Sequence, residues 1–461
     1  MRSRTPWFSV WFLALLFAPL TAQRVNPVDR HIVAAGLWSE ARYNYAYWDA
    51  VRANWDSAFA ATVTMINARG GPGGPGGAGG AEGAGAPAPT DLQFFRQLRR
   101  WGALLHDGQF ELLPPAPIAA RTARPPIALR SIERRPFILD YAANDEMRIA
   151  RPERLAEIIA VQGIPAELWI RDSVLPEIAA ATDSSRWERA VERMLEGERG
   201  TALHLVLRLP GGTQRGASVT RSVALMTRWP LERPPVEAET LPDGVIWIRI
   251  NSLADPDVVA LFDRALGDAP REGLRHRGLI VDLRETMWTA SGREQGYAVL
   301  SRLTDRPILT SRWRTPQYRP AYRGPDEPDS TGAWLRAPSD TIWPPLRRER
   351  PPYTGPVVVL ASARTSGAAE DFLAAFRDGT RGTIIGEASA GSTGQTLVLR
   401  LAAGWQVRFT VTRDAFSDGT EFGHQGIVPE IRVQTRAADV LEGCDAALER
   451  ARSLLAATAR R

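Results

Sequence analysis

Ser366 is the residue best placed by the sequence to do chemistry. It lies in the stretch 355–370, GPVVVLASARTSGAAE. There Val357 to Leu360 reads as a short buried strand. Ala361 to Thr365 reads as a small polar turn, and Ala368 onward, with Phe372, Leu373 and Phe376, as a helix. A serine between a buried strand and a helix suits a nucleophile, because the helix start aims unpaired N–H groups at the hydroxyl. The same position suits a plain N-cap, for which serine is among the best residues. A nucleophilic serine also needs a base, and the choice is narrow. All 57 Lys+Arg residues are arginine, so a lysine base, a Schiff base and a phosphate-loop lysine are excluded. The imidazoles are the five histidines His31, His106, His204, His276 and His424. Cys444 is the single thiol, which excludes an intramolecular disulfide and a Cys-rich zinc site.

The elements that must position these groups can be read along the chain. With 461 residues, 44% hydrophobic and 24% charged, the composition is that of a globular protein of two to three domains. The net charge of +5 is spread along the chain, so it is no nucleic-acid footprint. Residues 1–22 read as a signal peptide: Arg2 and Arg4 precede an apolar core, Trp7 to Leu20, that is shorter than the ~20 residues of a membrane span. The mature chain is expected to be periplasmic or secreted, with no stable membrane span. Residues 23–115 carry helical spacing: Leu37, Trp38, Ala41, Tyr45 and Trp48, then Trp55, Phe59 and Val63, then Leu92 to Leu104 after Thr90, a predicted N-cap. The Gly/Pro-rich stretch 70–89 interrupts them as a flexible insertion. Residues 125–230 read as a small α+β domain, and 236–435 as alternating strands and helices, which argues for a mainly parallel sheet; within it Thr396 to Leu401 and Trp405 to Val411 read as a hairpin across Ala402 to Gly404. An Arg-rich amphipathic helix, 436–461, closes the chain.

The order of several short motifs resembles the tail-specific (C-terminal processing) serine peptidase family, and within it the tricorn-like branch that lacks a Ser–Lys dyad. LWSEARYNYAYWD and NWDSAF resemble that branch's N-terminal helical segment, and ALLHDGQF its Asp-Gly-His segment. IIAVQGIPAELWI and RMLEGERG resemble its PDZ-like domain, and LIVDLR its Asp-Leu-Arg strand. TSGAAEDF, GEASAGSTGQT and DGTEFGHQGIVPEI resemble its catalytic-domain signatures. The resemblance implies an α/β fold: a ClpP/crotonase-like catalytic-type domain with a PDZ-like domain and a helical N-terminal segment. It also implies that Ser366 is the nucleophile and the Gly367 N–H an oxyanion donor.

Three departures go with it. The loop Ala388 to Gly394 has Ser392, and no lysine, near the place where other members carry the dyad lysine. Gln109 stands at the position of the branch's histidine, and a glutamine does not exchange a proton near neutral pH. Asp282-Leu283-Arg284 runs into Glu285-Thr286-Met287-Trp288 where the family has an Asn-x-Gly-Gly turn that completes the oxyanion hole. Two histidines remain as candidate bases: His106, three residues before Gln109, and His424, near Glu421 as an orienting acid. Each is otherwise read as structural, His106 at a helix end and His424 in a polar surface loop.

The expected function is an exported serine-type peptidase acting through an acyl-enzyme on Ser366, on a peptide or protein substrate, with no metal or organic cofactor. The rival is a catalytically inactive homologue that binds peptides or small apolar ligands. The lost base at Gln109 and the lost glycine turn favour the rival. A third reading is an assembly subunit.

Overall fold

The computed structural model describes residues 26–68, 89–225, 233–267, 278–287, 291–318, 333–345 and 351–458. The expected leader, 1–22, and the Gly/Pro-rich insertion, except Pro89, lie outside the described residues. Helix α1 (Pro27–Asn44) starts at Asn26, whose side chain accepts the Val28 N–H. Helix α2 (Trp55–Asn67) starts at Asn54. The helical spacing from Leu37 to Val63 is therefore split over two helices, and the break between them carries Tyr45 and Tyr47 into the interior. Helix α3 (Asp91–Ala103) begins at Thr90, with Gln93 completing a capping box. The apolar faces of the three helices form one core with Trp405, Val407 and Phe409 of a distant hairpin. Strand β1 (Glu111–Leu113) then joins that hairpin edge to edge.

Five strands follow, β2 (Ile127–Ile132), β3 (Arg135–Tyr141), β4 (Glu157–Val161), β5 (Ala202–Arg208) and β6 (Gln214–Thr220). They form an antiparallel sheet in the order β2-β3-β4-β5-β6, so the outer side of β2 is an edge. Helix α4 (Asp183–Arg193), capped by Thr182, packs beside β2. Its Ala190 and Val191 join Ile127, Leu129, Ile158 and Leu205 in the core.

The second half is the predicted α/β unit. Strands β7 (Val236–Thr240), β8 (Ile246–Ile250) and β9 (Leu279–Asp282) surround helix α5 (Val258–Gly267), and helix α6 (Arg293–Ser301) follows. Strands β10 (Arg312–Gln317) and β11 (Ala333–Ala337) form a hairpin. Strand β12 (Val357–Ala361), helix α7 (Ala368–Asp378) and strand β13 (Thr383–Gly386) come next. Strands β14 (Thr396–Arg400) and β15 (Gln406–Thr410) are the expected hairpin across Ala402–Gly404, and β15 is the strand that pairs with β1. Strands β16 (Arg413–Ala415) and β17 (Ile431–Arg432) and helix α8 (Ala446–Thr458) complete the chain.

The main sheet runs β7-β8-β9-β12-β13-β17, parallel except for β7. Its central strands are buried on both faces, as their unbroken apolar runs require. Val357, Val359 and Ala361 face α5, α6 and α7, whereas Val358 and Leu360 face Ala447, Ala451 and Leu455 of α8. The terminal helix thus forms one of the sheet's two covering layers. Gly278, at φ 143°, lets α8 close down: a Cβ there would lie 2.5 Å from Leu455 Cδ2.

Candidate active site

The carboxyl ends of β9, β12 and β13 are where an open parallel sheet places ligands, and the predicted residues converge there. Beyond β12 the turn is tied from both sides. Thr365 Oγ1 donates to the Leu283 carbonyl at 2.9 Å, and Ser362 Oγ to the Arg284 carbonyl at 2.8 Å. The Ser366 N–H donates to the Thr286 carbonyl at 3.1 Å, and the Ala390 N–H to the Thr365 carbonyl at 2.9 Å. Two segments therefore hold the turn, 283–286 on one side and a strap at 389–394 on the other.

The helix starts at Ala368, as the sequence reads, but its cap is not Ser366. Gly367, not Ser366, is the N-cap of α7, at φ 62° and ψ −127°, and no side chain caps it. That conformation costs any residue with a Cβ ~1–3 kcal/mol. In a strand-to-helix nucleophile elbow the nucleophile itself sits on the sharp, strained turn, which exposes its side chain. Here the strained position holds glycine. Ser366 precedes it and is 1% exposed. The Gly367 N–H, expected as an oxyanion donor, is given to the Ser392 carbonyl at 2.9 Å.

Gln109 is buried against the strap. Its side-chain amide donates to the Gly394 carbonyl at 2.9 Å, and its backbone N–H to Asp107 at 2.8 Å. Asp107, 1% exposed, also accepts the N–H and hydroxyl of Thr410, each at 2.7 Å. Gly108 touches the strap so closely that a Cβ would sit 2.3 Å from Ser392 Oγ. His106 is exposed, at φ 52° just beyond α3. Partial burial, with Arg186 nearby, holds its imidazole below the ordinary value.

His424 lies inward, which corrects its reading as a loose surface residue. Its ring packs on Tyr47 with centroids 4.0 Å apart, and its Nε2 is 3.0 Å from Tyr45 Oη. Tyr45 donates its own proton to the Leu105 carbonyl at 2.8 Å. The tyrosine oxygen therefore accepts from His424, which fixes the Nε2–H tautomer and leaves the lone pair on Nδ1. Burial pushes this imidazole down to about 4, so it is neutral at pH 7. The His424–Glu421 pairing is not formed. Glu421 accepts from Arg314 at 2.8 Å and faces Arg413 at 3.5 Å, and these two cations compete for the carboxylate that the imidazole would need. The Glu285–Met287 segment, the place of the expected glycine turn, is likewise committed. Thr286 Oγ1 donates to the Ile250 carbonyl. Burial would raise the Glu285 carboxyl, but the guanidiniums of Arg364 and Arg130 hold it down at about 2.

Three acidic residues were missed by sequence reasoning. Glu370, 0% exposed, accepts Ser389 Oγ at 2.5 Å and the N–H groups of Gly391 and Ser392 at 2.7 and 2.8 Å. Its burial outweighs those donors and raises its carboxyl to about 7. Asp371 and Asp414 share Arg293, at 2.7 and 2.9 Å, and Asp414 also accepts Thr393 Oγ1 at 2.7 Å. The available signal was an acidic pair one helical turn after the serine, inside an otherwise apolar helix.

Residues 245–433 match peptidase family S41. The chain carries a peptidase S41 domain. This agrees with the tail-specific peptidase resemblance in the motifs. Two solved structures share the fold over nearly the whole chain. Mature CPAF complexed with lactacystin aligns at TM-score 0.67 and 14% identity, covering 94% of this chain and 98% of that one. The photosystem II D1 C-terminal processing protease aligns at TM-score 0.50 and 17% identity, covering 93% and 97%. Comparison with curated proteins finds no match. Beyond the S41 domain, the α1–α3 segment supplies Tyr45 and Tyr47. The antiparallel sheet that begins with β2 carries α4, whose Glu188 meets Arg364 at 3.4 Å. No helix among the described residues is long and apolar enough to cross a membrane.

Proposed function

We propose that this protein is an exported peptidase-family member that captures an extended peptide beside the S41 elbow, and whose serine chemistry is impaired. The observation that carries the second half is the elbow itself: its strained apex is Gly367, and the adjacent Ser366 is buried. An elbow without a side chain at the apex offers no oxygen to an acyl carbon. Gln109, with its amide on a strap carbonyl, supplies no proton acceptor in place of a histidine.

Capture is supported by the sheet that carries α4. We read it as the PDZ-like domain, in which a peptide adds to a sheet edge by backbone hydrogen bonds. The edge strand is β2, and α4 forms the opposite wall. The Ser131 N–H of β2 faces outward and donates to Glu188 of α4 at 3.4 Å, a long bond that a peptide carbonyl would replace. A cavity of about 340 Å³ opens there, lined by Ser131, Arg134, Trp187 and Glu188 and closed by Ser362 and Glu387 at the carboxyl ends of β12 and β13. A peptide in this cavity would lie next to the elbow.

A second reading, an active serine-type peptidase forming an acyl-enzyme on Ser366, is favoured by His424, whose backbone N–H donates to the Gly391 carbonyl of the strap at 2.9 Å and whose imidazole is neutral at pH 7. On this reading the strap must move to admit substrate to a buried serine.

The test is a binding and turnover measurement on the mature chain with a fluorescein-labelled apolar peptide. The expected result is saturable binding, reduced by Ser131→Pro, with the peptide recovered at its original mass. Cleavage that disappears in Ser366→Ala would reverse the order of the two readings.

A further inference from the structure

The strap at 389–392 meets the elbow turn through two backbone contacts, the Ser392 carbonyl on the Gly367 N–H and the Ala390 N–H on the Thr365 carbonyl, each at 2.9 Å. Its other contacts hold its outer side. The Ala390 carbonyl accepts Thr182 Oγ1 and Ser185 Oγ of the α4 region at 3.3 and 3.2 Å. Ser389 Oγ accepts the Ile427 N–H at 2.7 Å. The inner side has one side-chain anchor among the described residues. Glu370 alone takes Ser389 Oγ, the Gly391 N–H and the Ser392 N–H, and those two peptide units set the direction of the Ser392 carbonyl.

We propose that Glu370 is a latch: its carboxylate holds the strap so that the Ser392 carbonyl occupies the Gly367 N–H as an internal stand-in for a peptide carbonyl. Release of the latch opens the elbow to a peptide. This rests on the capture reading for what enters, but the latch itself can be measured without a peptide. The exchange is favourable on general grounds. One carbonyl replaces another on the same N–H, so the hydrogen bond at the elbow is nearly conserved. The free energy of opening then lies in the contacts at Glu370 together with the Ala390–Thr365 backbone hydrogen bond. Its place in the first turn of α7 suits a carboxylate, which the helix N–H groups stabilise. Glu370 is thus a positioning residue, acting on the elbow through Ser392.

Glu370→Gln keeps the shape but turns an NH2 toward donors that a carboxylate accepted. Hydrogen exchange read by mass spectrometry on the full chain tests the idea. Loss of charge-assisted hydrogen bonds predicts exchange at Gly391, Ser392 and Gly367 faster by about 10- to 100-fold, with the β12 amides (357–361) unchanged. A merely structural carboxylate would loosen α7 and β12 together, and that uniform result, or no change at the three amides, overturns the proposal. If Glu370→Gln does not fold, Ser389→Ala removes one of the three contacts. It should speed the same amides by about 5-fold, and no change there is equally decisive against the latch. Failure of both wild type and variant to bind the labelled peptide, with selective exchange intact, would overturn the capture reading and leave the latch standing.

Discussion

His424 allows the most quantitative prediction. Its imidazole is packed on Tyr47, bonded to Tyr45 and pushed from the ordinary 6.5 to about 4 by burial. Arg413 and His106 add to the depression, while Asp107 and Asp49 oppose it. A depressed base is less easily protonated folded than unfolded, so its contribution to stability is present above the unfolded value and lost as pH falls through the folded one. Two and a half units correspond to about 3 kcal/mol. The substitution is His424→Asn, because asparagine tolerates the left-handed backbone at φ 63°. Urea unfolding from about pH 7 down to about pH 4 should show wild type losing about 3 kcal/mol more than the variant. NMR titration of the imidazoles, with the variant assigning the resonance, should give one histidine far below the rest. An imidazole at 6 or above for His424, or parallel stability profiles for the two proteins, would refute the reasoning about its burial and tautomer.

Four further outcomes follow from the same contacts. Glu370 titrates with the opposite sign: its carboxyl is raised to about 7, so its contribution is full below the ordinary value and lost as pH rises through about 7, and Glu370→Gln should flatten that limb of the stability profile. Gly367→Ala should cost ~1–3 kcal/mol by denaturant unfolding, because φ 62°, ψ −127° is closed to residues with a Cβ. Arg364→Leu leaves the half-buried carboxylates Glu285 and Glu188 short of a cation, although Arg130 still faces Glu285, and should destabilise by about 2–3 kcal/mol. Thr90→Ala removes a capping box and should cost about 1 kcal/mol in thermal unfolding.

Much of the frame could be read from the sequence, because its central strands are apolar runs of strand length. Val357 to Leu360 and Leu279 to Val281 allow no placement but the middle of a sheet covered on both faces. The hairpin Thr396–Thr410 and the cap at Thr90 were equally legible, since turn and cap chemistry is local. The elbow was not. The helix start at Ala368 was legible, but that the positive-φ turn falls on Gly367 and leaves Ser366 buried before it depends on how segments 283–286 and 389–394 hold the turn, which no local pattern shows. The fate of Glu421 also could not be read, because Arg314 and Arg413 reach it from strands far away in sequence. His424 was misread for the same reason: Tyr45 and Tyr47 come from the other end of the chain.

The central claim is that the elbow is intact in backbone but has no serine at its apex. Its most direct test is labelling of the mature protein with a fluorophosphonate probe, read by intact mass and compared with Ser366→Ala. The account predicts no Ser366-dependent label, with peptide binding the same in both proteins. A stoichiometric label that vanishes in Ser366→Ala would contradict it and make Ser366 a working nucleophile.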